Sequence, residues 1–255
     1  MSDSLIYTSD RTISSAYLDS SLHLGSAQAA LMIQDNLTEC YNMLDIDGIV
    51  YKERYNAFWV FTKTKIHFNR HPAWREKIKA STFPINNGAL RAHINTVLVD
   101  SEGKEVVTAN QEACVLDFER HRPMKLTDLN FPKEGFPNPI FTKSFERFPS
   151  DYTDGEYEYE FKVRSQQIDL SHHLNNIEYI KLGLNTYPES MHLIREISDL
   201  EMHYLGETKE GQVLRIYKKS TSEGDFIRIL EVTDCKEDEN KKPRIVFEMK
   251  INFYD

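Results

Sequence analysis

LDSSLHL, Leu18 to Leu24, returns in the second half of the chain as IDLSHHL, Ile168 to Leu174, with aspartate, serine, histidine and the closing leucine in the same order. Each copy runs into a stretch with helical spacing, SAQAALMIQDNLTECYNML in the first half and NIEYIKLGLNTY in the second. Downstream, KIHFNRHPAWREKIKASTF parallels EMHYLGETKEGQVLRIYKKST, two alternating segments around a short polar turn. Both halves then offer two more strand-like runs: LRAHINTVLVD and VVTANQEACVLDF, then FIRILEVTD and RIVFEMKINF. One match could be accident. The same order twice, a helix and then four strands, is the signature of a duplicated unit.

A long helix followed by antiparallel strands on short turns is an α+β layout in which a curved sheet wraps its apolar face around the helix. One unit alone would leave a sheet edge open, so two tandem units pairing into one continuous sheet are expected. Ala27, Ala30, Leu31, Leu37, Tyr41 and Leu44 give the first helix its apolar stripe. Pro132, Pro137, Pro139 and Pro149 interleave with Phe131, Phe136, Phe141, Phe145 and Phe148. Proline ends regular structure, while the phenylalanines would hold such a segment against the protein. The expected organisation is a first unit over 1–130, a linker over 131–150 and a second unit over 151–255.

With 255 residues and 40% apolar side chains, the chain can bury a substantial core. No apolar run reaches the roughly 18 residues of a membrane-spanning helix, and MSDSLIYTSDRT lacks the basic-then-apolar pattern of a secretory signal, so a cytoplasmic protein without membrane insertion is expected. Cys40, Cys114 and Cys235 are widely spaced with no CxxC pair, which reads as three reduced, structural thiols. The net charge of −9 argues against nucleic-acid binding. One basic zone stands out from Lys52 to Arg91 and includes Lys63, Lys65, Arg70, Arg75, Lys77 and Lys79. Such a zone can dock an acidic partner. His172-His173 and the pair His67 and His71 are poor metal ligands, because neighbours in a strand point oppositely and Pro72 argues against a shared helix face. No metal or cofactor is expected.

In an extended chain Asp169, Ser171 and His173 would point the same way, and Asn175 would then cap a helix, with Glu178 as reciprocal partner in a capping box. Ile177, Ile180 and Leu184 provide that helix's apolar stripe. The three polar residues would converge at a helix N-terminus, where unpaired N–H groups favour negative charge. Such a place suits the oxyanion formed when an acyl carbonyl is attacked. Neither a G-x-S-x-G elbow nor a phosphate-cradling glycine loop is present.

D-x-S-x-H-x-N-N, read at Asp169, Ser171, His173, Asn175 and Asn176 ahead of an apolar helix, resembles the active-site motif of the acyl-acyl carrier protein thioesterases, enzymes built of two hot-dog units. The run FWVFTKTKIHFNRHPAW, the segment ACVLDFERHRP and YLGETKEGQ are similar to further stretches of that family, so the resemblance spans nearly the whole chain. It implies hydrolysis of fatty acyl chains from acyl carrier protein, with Asp169 and His173 in the catalytic set and Glu207 as the facing glutamate. Two departures stand out. Ser171 replaces the usual asparagine and cannot span two partners as an amide can, and Thr208 stands where many plant members have cysteine, which excludes a cysteine nucleophile there.

The mechanism expected is water attack with Glu207, in a partly apolar cleft, as base. His173 and a backbone N–H near Asn175 and Asn176 would polarise the carbonyl, Asp169 would orient these groups, and Ser171 would position water or substrate. Asp19, Ser21 and His23 form a rival constellation, but alignment puts His71 where the second half has Glu207. The first half is therefore read as the acyl-chain pocket, with Leu31, Met32 and Phe58 as candidate lining. The basic zone would meet the acidic carrier protein. Two other readings stay open: a non-catalytic acyl-thioester or carrier-binding sensor, and an acyl-coenzyme A thioesterase. Either a monomer or a homodimer is compatible with two fused units.

Overall fold

The computed structural model describes residues 5–85, 88–133, 144–149, 155–233 and 242–254. The chain divides into two units, Met1–Ser144 and Phe145–Asp255. The first contains β1 (Tyr7–Thr12), α1 (Ser26–Met43), α2 (Gly48–Tyr55), β2 (Ala57–Phe68), β3 (Lys77–Pro84), β4 (Ala92–Val99) and β5 (Glu105–Asp117). Its strands pair antiparallel in the order β1-β3-β4-β5-β2. The second contains β6 (Glu156–Lys162), α3 (Asn176–Leu184), α4 (Glu189–Ile194), β7 (Ile197–Tyr204), β8 (Val213–Thr221), β9 (Gly224–Glu231) and β10 (Arg244–Phe253). Its order, β6-β8-β9-β10-β7, is the same one repeated.

Each unit therefore has five strands rather than the four expected. The addition precedes the helix: YTSDRT and EYEYEFK, each paired on one side only within its unit, to β3 and to β8. YTSDRT has no apolar alternation to reveal it, whereas EYEYEFK alternates charged residues with Tyr157, Tyr159 and Phe161, as a strand with one face in water does, but lies ahead of the repeated order. The helices follow the expected stripe with one exception. Ala27, Ala30, Leu37 and Tyr41 are buried along α1, and Met32 and Ile33 join them, but Leu31 is exposed.

In the first unit α1, α2 and the inner face of the sheet enclose Leu37, Tyr41, Ile46, Tyr51 and Val115. Leu126, Leu129 and Phe131 close this core from beyond β5. Trp59 stacks on Tyr51 at 5.2 Å and donates from Nε1 to the Ile46 carbonyl at 2.7 Å. In the second unit α3 rests directly on β9 and β10: a Cβ at Gly183 would displace the Met249 methyl and touch Ile227.

Part of the proline- and phenylalanine-rich segment, including Phe136, Pro137, Pro139 and Phe141, lies outside the described residues, as does Cys235. Its end, residues 145–149, is fastened to the second unit. Phe148 stacks on the His203 ring at 4.0 Å, the Glu146 N–H donates to Glu201 at 2.6 Å, and Arg228 donates to the Pro149 carbonyl at 3.1 Å. Cys40 and Cys114 are free and buried, and burial pushes the Cys40 thiol up to about 12, which keeps it protonated. Among the described residues no helix is long and apolar enough to cross a membrane, and no three His, Cys, Asp or Glu side chains cluster as metal ligands would.

Candidate active site

The stretch Asp169 to His173 is a tight turn, not the extended chain expected from its alternation. The Asp169 carboxylate accepts from the Ser171 N–H at 2.9 Å and from the Ser171 hydroxyl at 2.5 Å. The Asp169 N–H donates to the His173 carbonyl at 3.0 Å, and His172 turns the chain with a left-handed φ of 64°. An aspartate that satisfies backbone donors two residues on stabilises a turn more than a strand does, and here that local chemistry decides. Asp169 and Ser171 thus hold the bend. His173 leaves it towards the loop between β7 and β8.

There the His173 Nε2 lies 3.0 Å from Glu207 Oε2, so the pair expected from the sequence is in contact. Leu174 N–H donates to the Thr208 carbonyl at 2.7 Å, which ties the residue after each partner directly to the other segment. The glutamate side chain is 49% exposed against 23% for the histidine. The carboxylate is therefore half in water and not enclosed in the apolar cleft anticipated for it. Solvent can reach it without any rearrangement.

Asn175 caps α3: its side-chain oxygen accepts from the Ile177 N–H at 2.8 Å. The reciprocal half of the capping box is not made, because Glu178 binds Lys181 at 2.6 Å, an ion pair one helical turn apart. The donors at the helix start divide clearly. Asn175 N–H is taken by the Gln167 carbonyl and Ile177 N–H by the cap, whereas Asn176 N–H lies in the first turn, where no helical acceptor precedes it. Replacing Asn175 with alanine is expected to cost about 1 kcal/mol of stability, read from urea unfolding; an unchanged midpoint would remove the cap from this account.

The first unit keeps the bend without the pair. Ser21 N–H and hydroxyl bond Asp19 as Ser171 bonds Asp169, Leu22 takes a φ of 62°, and Leu24 N–H donates to the Pro72 carbonyl at 2.8 Å. His71 occupies the place of Glu207 but turns inward. It is buried, bonded through Nδ1 to the Leu24 carbonyl at 2.8 Å and stacked on Phe68 at 4.2 Å. No carboxylate from that loop faces His23 among the described contacts.

The other sequence candidates scatter. Leu31 is exposed on α1, Met32 is core, and Phe58 on β2 meets Phe118 and His121 edge-on, so the three fall in separate environments. In the basic zone Lys65 is buried, its ammonium 3.4 Å from the Ser144 carbonyl. Arg70 is held by Glu76 and Asp100 at 2.6 and 3.0 Å, which raises its pKa and lowers that of Glu76. Lys63 is half-buried, and Arg75 lies over the Trp74 ring. Lys77 and Lys79 are exposed on β3 and border a surface groove of about 560 Å3 with Arg11, Asp10 and Asp100. Sequence reasoning assigned no role to Tyr179 or Arg244, both of which contact the Glu207 loop. Setting the repeats side by side would have raised Tyr179, since the matching residue of α1 is Ala29.

Comparisons with known proteins bear on the fold and the family. Oleoyl-acyl carrier protein thioesterase 1, chloroplastic, of Arabidopsis thaliana is 23% identical over 182 residues, covering 67% of this chain and 50% of that protein. The chain spans about half the length of the curated relatives it matches. Among solved structures, an acyl-ACP thioesterase from Bacteroides thetaiotaomicron superposes with a TM-score of 0.82 at 19% identity, covering 100% of both chains. The 12:0-ACP thioesterase from Umbellularia californica gives 0.80 at 13% identity, over 98% of this chain and 97% of that one. These likenesses establish the double hot-dog fold. Residues 7–130 match the acyl-ACP thioesterase N-terminal domain and residues 151–249 the C-terminal domain, so the chain belongs to the acyl-ACP thioesterase family.

Proposed function

We propose that the protein hydrolyses fatty acyl thioesters of acyl carrier protein, releasing the free fatty acid and the carrier's thiol. The observation that carries this reading is the contact of His173 Nε2 with Glu207 Oε2 at 3.0 Å beside the start of α3. The imidazole donates to one carboxylate oxygen and fixes its direction, and the half-exposed carboxylate keeps its other oxygen for water. Water bonded there attacks the thioester carbon while its proton passes to Glu207. The carbonyl oxygen, now negative, is received by the Asn176 N–H and the positive end of the helix. Collapse breaks the carbon–sulfur bond, and the departing thiolate takes the proton from Glu207.

In this reading Asp169 and Ser171 shape the bend that presents His173, and the nucleophile is water. Thr208 Oγ1 is buried and bonded to Tyr179 at 2.6 Å, an unsuitable place for an attacking group. For the carrier protein, the exposed Lys77 and Lys79 are the proposed contacts, while the buried Lys65 and the ion-paired Arg70 are set aside.

Purified protein incubated with acyl-carrier protein and, separately, with acyl-coenzyme A of several chain lengths decides between the readings when free thiol is followed. Thiol release that is at least about tenfold faster from carrier protein is expected. Faster release from coenzyme A would replace the substrate, and tight binding of either without thiol release would make the protein a sensor.

A further inference from the structure

We infer that Tyr179 and Arg244 are positioning residues that hold the Glu207 loop in register with His173; the inference rests on the reading of Glu207 as the base. The loop is fastened on both sides of the glutamate. The Tyr179 hydroxyl lies 2.6 Å from Thr208 Oγ1 and 3.2 Å from the Gly206 carbonyl oxygen. Arg244 donates from Nη2 to the Glu207 carbonyl at 2.7 Å, and Gly206 N–H donates to the Val246 carbonyl at 3.1 Å. With Leu174 N–H on the Thr208 carbonyl, the backbone of residues 206 to 208 is bonded at every residue. Only the glutamate side chain is left to move.

Tyr179 is suited to this task. Its ring is buried and stacks on Phe247 at 5.3 Å, so the hydroxyl is delivered from a fixed platform on α3. Burial pushes the phenol up to about 12, so it stays protonated at neutral pH and keeps donating. The two hydroxyl protons of Tyr179 and Thr208 suffice for both contacts. Gly206 gives Arg244 room, because a Cβ there would push the guanidinium aside.

The first unit shows what the loop looks like without the clamp. Its places for Tyr179 and Thr208 are filled by Ala29 and Pro72, neither of which has a hydroxyl, and Arg70 replaces Gly206. There the residue at the place of Glu207, His71, points into the core. The backbone bonds of the loop recur there, Leu24 N–H on the Pro72 carbonyl and Arg70 N–H on the Val106 carbonyl, so it is the tyrosine's contacts that occur with the outward carboxylate in one unit and are missing with it from the other.

Tyr179→Phe keeps the ring and removes only the hydroxyl. It is expected to lower kcat by about 10- to 100-fold with KM within about twofold, since a displacement of about 1 Å costs that much in rate. In a Glu207→Gln background the same change should cost less than about twofold more. Thr208→Ser should retain activity where Thr208→Val loses it. A readout independent of turnover is the 15N resonance of His173 Nε2, which Tyr179→Phe should move towards its position in the Glu207→Gln chain. An unmoved resonance, or an equal rate loss in both backgrounds, overturns the positioning role. A moved resonance together with full activity of the Glu207→Gln chain would instead overturn Glu207 as base and leave the clamp standing.

Discussion

Glu207→Gln is expected to lower kcat for acyl-carrier protein hydrolysis by about 10²- to 10⁴-fold, the range that loss of a general base produces. The amide keeps the size of the carboxylate and can still accept from His173 Nε2–H, so the contact at 3.0 Å and the fold around it should survive. What disappears is the ability to take a proton from water. KM should stay within about threefold, because the acyl chain, whose burial is worth about 0.8 kcal/mol per methylene, does not depend on that carboxylate. Steady-state thiol release, checked against an unchanged circular dichroism spectrum, decides the matter. A rate within threefold of the parent would end the role of Glu207 as base.

His173→Ala is expected to cost about 10²-fold in kcat by a different route. The half-exposed carboxylate would lose the imidazole that fixes its orientation, and a base free to rotate spends most of its time misdirected. His173→Gln returns an N–H donor on a chain of comparable reach and should recover part of the loss. The control is His23→Ala in the first unit, whose imidazole approaches Ser21 at 3.3 Å and faces no carboxylate from its loop among the described contacts. Thiol release should hardly change there. If His23→Ala abolished turnover while His173→Ala left it intact, the working half would be the first one.

Much of this architecture was legible because duplication leaves a long-range pattern that single segments do not. The repeated order of helix and strands, with the apolar stripes of α1 and α3, was enough for two α+β units. The edge strand β1 escaped because YTSDRT has no apolar alternation, and β6, although it alternates charged residues with Tyr157, Tyr159 and Phe161, because it lies ahead of the repeated helix-and-strand order. Alternation predicts an extended backbone with Asp169, Ser171 and His173 on one side, whereas the aspartate draws the serine into a turn. Glu207 could be found by resemblance. Of its supports, Tyr179 stands out only where the repeats are set side by side, and Arg244 not at all, because it reaches the loop from another strand and their separation in sequence carries no periodic signal.

The left-handed residue in each bend invites a last deduction. Leu22 and His172, neither of them glycine, adopt almost the same φ, 62° and 64°. Side chains with a Cβ occupy that region at a penalty of about 1 kcal/mol or more. The half in which no loop carboxylate faces the histidine among the described contacts tolerates the same penalty, so the hairpin is upheld by what it does for the scaffold, handing the chain from its outermost strand to the wrapped helix. Reactivity is then an overlay borne by the loop opposite, and redesign aimed at new chemistry could rebuild positions 206 to 208 without disturbing the elbow they face.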